Sequence, residues 1–533
     1  MMSSMSPDFL IRGARVIDGT GSPWFVADVR VKNGRIQDIQ KTLASDGADI
    51  IEADGRYLAP GFIDAHCHDD LICLREPDRP EKALQGVTTV VVGNCSFSLY
   101  PATSSSAPAL RQHFSSLLGE VLPDEVFDSF ADYRNALHDR GIAVNVVSLV
   151  GHAALRIAVL GHERRSATEA ERARMQELLA AQLRDGAAGL SLGLVYPPSA
   201  YADQAELLEL SRIASNHGKL VAAHIRSYEG ELSDSIDEFI GLLKGAGAPG
   251  LLSHLQSAGR PNWGKIPSAI GQLERARQDG VDVSFDMYPY PAGSSYMLQL
   301  LPPEALEGGV DVLIARLAQA DFRDQLRRAV EGADPASTKS KVAMIGWGNV
   351  RISGVSNPGL KHLEGMNMVQ AAEMTGVSPF ELMVRFILED RGQTSIVMFQ
   401  LDEGDLKAAC THRLHMVGSD GLPRPGTKPH PRAYGTFPRV AGRLRREGWF
   451  SLEDAVCRMT SRAAERFGLA DRGLVRPGMV ADLVLFDDTI DDRATFDTPT
   501  ELPAGIKNVW VAGEAIVQDG ETTGRRPGRV LGH

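Results

Sequence analysis

From Asp8 to Leu58 the chain alternates apolar and polar residues in short pieces, Phe9-Leu10-Ile11, Ala27-Asp28-Val29-Arg30-Val31 and Arg35-Ile36-Gln37-Asp38-Ile39, separated by Gly and Asp turn positions. A period of two belongs to strands with one buried face, so this stretch predicts a small antiparallel sheet. The same texture returns only near the other end, in Ala481-Asp482-Leu483-Val484-Leu485-Phe486 and Lys507-Asn508-Val509-Trp510-Val511-Ala512. Isolated hairpins are marginal in water, so the two clusters are expected to pair into one small β-sandwich, residues 1–58 supplying its first part and 465–533 its second.

Between them, over 59–464, the pattern becomes short continuous apolar runs alternating with helical stretches such as Ala167 to Arg184, Gln204 to His217 and Ser268 to Gln278. That alternation predicts an α/β architecture with a parallel sheet covered on both faces. Eight strand candidates end near His66, Cys95, His152, Leu194, Arg226, Gln256, Tyr290 and Asp420. Eight such units predict a (β/α)8 TIM barrel, whose chemistry sits at the C-terminal ends of the strands. The connection before the last strand is too long for one crossover. Residues 293–345 intervene before a helical stretch from Gly365 to Asp390, and are expected to form an inserted helical lid.

Composition narrows the class of partner. Fifty-six Lys and Arg against 68 Asp and Glu give a net charge of -12, without a dense basic run, so neither a nucleic acid nor an anionic membrane is an expected partner. A small-molecule substrate is expected instead; oligomeric state is not legible. Five cysteines are too few, and odd in number, for a disulfide framework, and no apolar run is long enough to insert in a bilayer. A cytoplasmic protein is the expectation.

The chemistry clusters at the strand ends. His66 and His68 flank Cys67 after the apolar run Tyr57 to Ala65, and residues two apart in an extended chain project to the same side. Cys95 ends Val90-Val91-Val92-Gly93-Asn94, His224 ends Leu220-Val221-Ala222-Ala223, and His254 ends Leu251-Leu252-Ser253. Singly, each has an ordinary explanation as core packing. Together, one thiolate and two imidazoles form a borderline-soft set suited to Zn2+. Asp420, after Leu414 to Ser419, reads as a helix cap or, beside a metal, as a ligand and proton carrier.

The stretch Ala59-Pro60-Gly61-Phe62-Ile63-Asp64-Ala65-His66-Cys67-His68 resembles the first-strand signature of the amidohydrolase superfamily. Gly93-Asn94-Cys95-Ser96-Phe97-Ser98, Val150-Gly151-His152, Asp286-Met287-Tyr288-Pro289-Tyr290, Ser419-Asp420-Gly421 and His430-Pro431-Arg432 resemble its D-aminoacylase (N-acyl-D-amino-acid deacylase) branch. The resemblance implies a zinc hydrolase of amide bonds in which Cys95, His224 and His254 hold a tight ion, while His66, His68 and Asp420 border a second, weaker site. It also implies substrate recognition by Tyr196, Tyr288, Ser294 and Arg432, with the Arg432 guanidinium suited to a carboxylate. The cyclic-amide branches carry a carboxylated lysine at the end of strand four, where this chain reads Ala188-Gly189-Leu190-Ser191-Leu192-Gly193-Leu194. Two departures lie near the pocket: Ser96 replaces a usual glycine, and Arg226-Ser227 is followed by Tyr228-Glu229 where an acidic residue usually comes first.

The expected function is hydrolysis of N-acyl amides bearing a carboxylate, with Asp420 as the catalytic base and acid. The alternatives are a cyclic amide, carbamoyl or other neutral amide substrate on the same barrel and, from another class, a non-catalytic assembly protein.

Overall fold

The period-two pieces near the N-terminus become strands β1 (Phe9–Val16), β2 (Phe25–Lys32) and β3 (Arg35–Gln40), followed by β4 (Asp49–Glu52) and β5 (Tyr57–Pro60). β1–β2 and β2–β3 are antiparallel, but β4 and β5 lie parallel to β1. The sheet is therefore mixed, which corrects the expectation of a purely antiparallel one. The β2–β3 hairpin acts as the crossover that brings the chain back in its original direction. The computed structural model describes residues 8–332 and 340–532; residues 1–7, 333–339 and 533, parts of the terminal pieces and insertion delimited above, lie outside the described residues.

The continuous apolar runs become β6 (Phe62–Asp64), β7 (Val87–Val92), β8 (Asn145–Ser148), β9 (Val150–Gly151), β10 (Gly189–Gly193), β11 (Leu220–His224), β12 (Gly250–Leu252) and β13 (Val283–Met287). Every residue of these strands is buried, as expected of parallel strands covered on both faces. Two of the intervening helices start at side-chain caps: Thr168 and Glu171 form a capping box for Glu169–Arg184, and Asp203 caps Gln204–Asn216. β9 ends at Gly151, so the strand does end beside His152, which opens the helix His152–Leu160.

After β13 the chain makes its long excursion. It begins with β14 (Ala292–Tyr296) and contains β15 (Val350–Gly354) and β16 (Ser395–Phe399), which form an antiparallel sheet in the order β14-β16-β15. The excursion therefore runs beyond 293–345 and is built on a sheet as well as helices. Its first strand, Ala-Gly-Ser-Ser-Tyr, carries little strand propensity of its own. The single helical stretch expected from Gly365 to Asp390 is two helices, Met368–Thr375 and Pro379–Glu389. Gly376 ends the first in the left-handed conformation, and Ser378 caps the second with Pro379 in its first turn.

The chain returns as β17 (His415–Val417) beside β13. β6–β7–β8 and β9–β10–β11–β12–β13–β17 are parallel ladders. Leu149 N donates to Val92 O where β8 passes into β9, and at the opposite edge Ala65 N donates to Val417 O at 3.2 Å while Cys67 bridges Gly421 in parallel. β17 thus lies beside β6, and the segments that follow β6, β7, β10, β11, β12 and β17 approach one another.

The last strands are β18 (Leu483–Asp491), β19 (Ala504–Val511), β20 (Glu514–Gln518) and β21 (Glu521–Thr522). β18 pairs with β5, Leu485 opposite Leu58, so among the described residues the two chain ends share one nine-stranded sheet. Phe9, Val29, Leu58, Leu485 and Trp510 pack in its core. No helix among the described residues is long and apolar enough to cross a membrane.

Candidate metal centre and active site

His66 and His68 follow β6 on a turn anchored by buried charge. Asp64 accepts from Ser419 N at 2.7 Å and from Ser419 Oγ at 2.6 Å, and forms an ion pair with Lys82. Lys82 also faces Asp69 at 3.4 Å, and Arg79 reaches Asp69 at 3.0 Å. The carboxylates of Asp64 and Asp69 are thus committed to this network rather than to the imidazoles, and they tie the His66 turn to the Ser419-Asp420 turn. Lys82→Met leaves two carboxylates buried without their ammonium; equilibrium unfolding is expected to show a loss of about 3–5 kcal/mol.

Three of the predicted ligands occupy left-handed backbone: Cys95 at φ 52°, His254 at φ 35° and Asp420 at φ 48°. Non-glycine residues there cost on the order of 1–3 kcal/mol each, and such strain gathers at functional sites. Ser96, at φ 77°, is held by its hydroxyl, which accepts from Ala153 N at 2.6 Å and lies 2.7 Å from Ser199 Oγ. Gly193 ends β10 directly against this turn: a Cβ there would lie 2.2 Å from Cys95 O. That close approach leaves no room for a side chain at the position.

The structure brings all six predicted ligands together. Ligand-type atoms of Cys95, His224 and His254 lie within 4.8 Å of one another, as do those of His66, His68 and Cys95, and those of His66, His254 and Asp420. Cys95 Sγ is 3.3 Å from His66 Nε2 and 3.5 Å from His254 Nε2. Asp420 Oδ1 is 3.2 Å from His68 Nε2 and 3.6 Å from His66 Nε2. Cys95, just past the end of β7, is buried, with 3% exposure.

Burial pushes the Cys95 thiol up, but the charge of His66 and hydrogen bonds from His224, His254 and His66 outweigh it and hold the thiol well below its ordinary range. Burial likewise works against the Asp420 carboxylate, yet Arg432 foremost, then His68 and neighbouring histidines, keeps it well below the usual range. Burial and the charge of His254 lower His224 to about 4, keeping it neutral as a ligand requires. For His68 burial acts downward, but Asp420 and Cys95 prevail and raise it to about 9. One thiolate, one carboxylate and several imidazoles facing a common centre fit a borderline-soft divalent cation such as zinc.

The predicted substrate residues divide. Tyr196 OH lies 3.4 Å from His224 Nδ1, and Tyr288 OH donates to Gln256 Oε1 at 3.0 Å; both tyrosines line the cavity. Ser294 also lines it, but its hydroxyl donates to Ile396 O at 3.1 Å within the β14–β16 sheet. Arg432 opens the helix Arg432–Arg439 and is fully buried. Its Nη2 is 2.9 Å from Asp420 Oδ2 and its guanidinium stacks 4.4 Å over the Tyr288 ring. Arg432 Nε and Nη1 have no hydrogen-bond partner among the described residues.

Asp286 was missed as a site residue. It takes His66 Nδ1 at 3.2 Å on one oxygen and His254 N at 2.8 Å on the other, fixing two ligands at once. The signal was present: Val283-Ser284-Phe285 leads into Asp286 much as apolar runs lead into the histidines.

Comparison with known proteins places the chain in a family. The model of the amidohydrolase family matches residues 49–517. An N-acyl-D-glutamate deacylase of Alcaligenes xylosoxydans xylosoxydans is 37% identical, over 98% of this chain and 96% of its own length. A D-aminoacylase of the same organism is 36% identical over 98% and 97%. Among solved structures, N-acyl-D-glutamate deacylase from Bordetella bronchiseptica, complexed with zinc and a phosphonate mimic of the tetrahedral intermediate, aligns with a TM-score of 0.83 at 36% identity, covering 99% of this chain and 100% of that one. The chain belongs to the amidohydrolase family, in its D-aminoacylase branch.

Proposed function

We propose that the protein hydrolyses the amide bond of N-acyl-D-amino acids with the help of a bound metal. The observation that carries this reading is the meeting of the Cys95, His224 and His254 ligand set with Asp420 and with a buried Arg432 whose Nε and Nη1 lack partners among the described residues. A zinc ion held by Cys95, His224 and His254, with a second weaker ion bordered by His66, His68 and Asp420, supplies Lewis acidity and a water of lowered pKa when bound.

The chain's own groups do the rest. Asp420 takes the water's proton on Oδ1 and delivers it to the leaving amine, while Arg432 holds Oδ2 and so fixes the carboxylate plane. Arg432 offers its remaining N–H groups to the substrate carboxylate, with Ser294 beside it, and Tyr196 and Tyr288 donate to the carbonyl oxygen as charge develops on it. Asp286 orients His66 and His254.

In architecture, we read the eight parallel segments over 59–464 as a closed (β/α)8 barrel with its chemistry at the C-terminal strand ends. The excursion from Ala292 to Phe399 is its lid, and 1–58 with 465–533 form the accompanying sandwich. All five cysteines are free and buried, which fits a reducing cytosol.

The test is zinc analysis of protein purified without added metal, then a panel of N-acyl-D- and N-acyl-L-amino acids read by amine release. Preference for the L series, or turnover of cyclic amides alone, overturns the reading. Arg432→Met is expected to lower kcat/KM on carboxylate substrates by about 10- to 100-fold or more, the measure of a lost charged hydrogen bond. Amidated analogues lose less, retaining only the part due to Asp420 losing its partner; equal losses on both would remove Arg432 from carboxylate recognition.

A further inference from the structure

Glu229, on the turn after β11, and Lys341, from the excursion, line the same cavity as Cys95, His224 and His254. They form an ion pair through Lys341 Nζ and Glu229 Oε1, with side chains 19% and 13% exposed. The second oxygen, Oε2, accepts from Ser227 Oγ at 3.1 Å and Tyr228 N at 3.2 Å. Burial pushes the Glu229 carboxyl up, but Lys341 outweighs it and holds the group below its usual range, so Glu229 faces Lys341 as a carboxylate. Besides Arg432, which the proposed function sets on the substrate carboxylate, Lys341 is the one ammonium or guanidinium among the described residues lining this cavity, which Gln256, Gln299, Gln400 and Met398 also line.

We propose that the Glu229–Lys341 pair determines specificity by keeping its part of the cavity wall neutral, so that the enzyme accepts N-acyl-D-amino acids with uncharged side chains and rejects acidic ones. The inference rests on the function proposed above. An acidic side chain must leave water and meet a fixed carboxylate whose cation is already engaged, and it gains Lys341 only by breaking a largely buried pair. A neutral amide of the same shape meets the glutamines without that penalty. The acidic substrates in the names of the relatives do not, on this argument, carry over to this chain.

The test compares kcat/KM for N-acyl-D-glutamine and N-acyl-D-glutamate, a nearly isosteric pair, using the acyl group best cleaved in the panel and zinc-replete enzyme. The wild type should favour the glutamine derivative by about tenfold or more. Glu229→Gln frees Lys341 and should shrink or invert that ratio, mainly through KM for the acid. Lys341→Gln should widen it, and the double variant E229Q/K341Q, neutral again, should return toward the wild-type ratio with the same zinc content. A wild type that cleaves the glutamate derivative as well as the glutamine one overturns the proposal. So do variants that change both substrates by the same factor, because a pair that only supports the fold would act that way. If the zinc-replete wild type cleaves no N-acyl-D-amino acid at all, the proposed function fails and the inference falls with it.

Discussion

Cys95→Ala is expected to lose bound metal and activity together while the fold persists. Cys95 belongs to two of the three ligand groups and is the single anionic donor beside His224 and His254. Its removal leaves two imidazoles where that group had three protein ligands, the number a catalytic zinc site uses. The loss in kcat should reach about 10³-fold or more, since a metal's charge stabilisation is worth several kcal/mol and each ~1.4 kcal/mol is tenfold. Alanine bears the same left-handed backbone strain as cysteine, so the unfolding midpoint of the metal-free proteins should stay close. Metal content by elemental analysis and circular dichroism separate these effects. Near-normal turnover with full zinc content would reduce Cys95 to packing.

Asp420→Asn should retain the tightly held metal and lose about 10²–10⁴-fold in kcat, the range for a general acid-base group. Asparagine preserves shape but cannot take the proton, and its amide no longer balances the charge of Arg432, 2.9 Å away. Some rise in KM for carboxylate substrates should therefore accompany the fall in kcat. A rise in KM alone would refute the proton role. Loss of all metal would make Asp420 chiefly a ligand.

The strand-end positions of His66, His68, Cys95, His224, His254 and Asp420 were legible because apolar runs ending in a polar residue are a local pattern, and parallel strands impose that pattern on each segment separately. The helix starts expected at Ala167 and Gln204 were equally local, lying within two residues of the observed starts beside the Thr168 and Asp203 caps. The relation between elements was not. The parallel placement of β4 and β5 on β1, and the sheet inside the excursion, depend on pairing partners tens of residues away, and Ala-Gly-Ser-Ser-Tyr has no local preference that announces a strand. Arg432 shows the same divide at the site: its residue type pointed to a carboxylate, but only the tertiary structure put it under Asp420 and against Tyr288. Asp286 orienting two ligands, Lys82 joining the His66 and Ser419 turns, and Glu229 meeting Lys341 across 112 residues likewise arise from long-range proximity. The sequence by itself determined which groups stand at the strand ends, because hydrophobic period and residue chemistry are properties of each segment. Which of those groups are ionised, and which face one another, the tertiary structure decided, because charge state depends on burial and on neighbours brought together by folding.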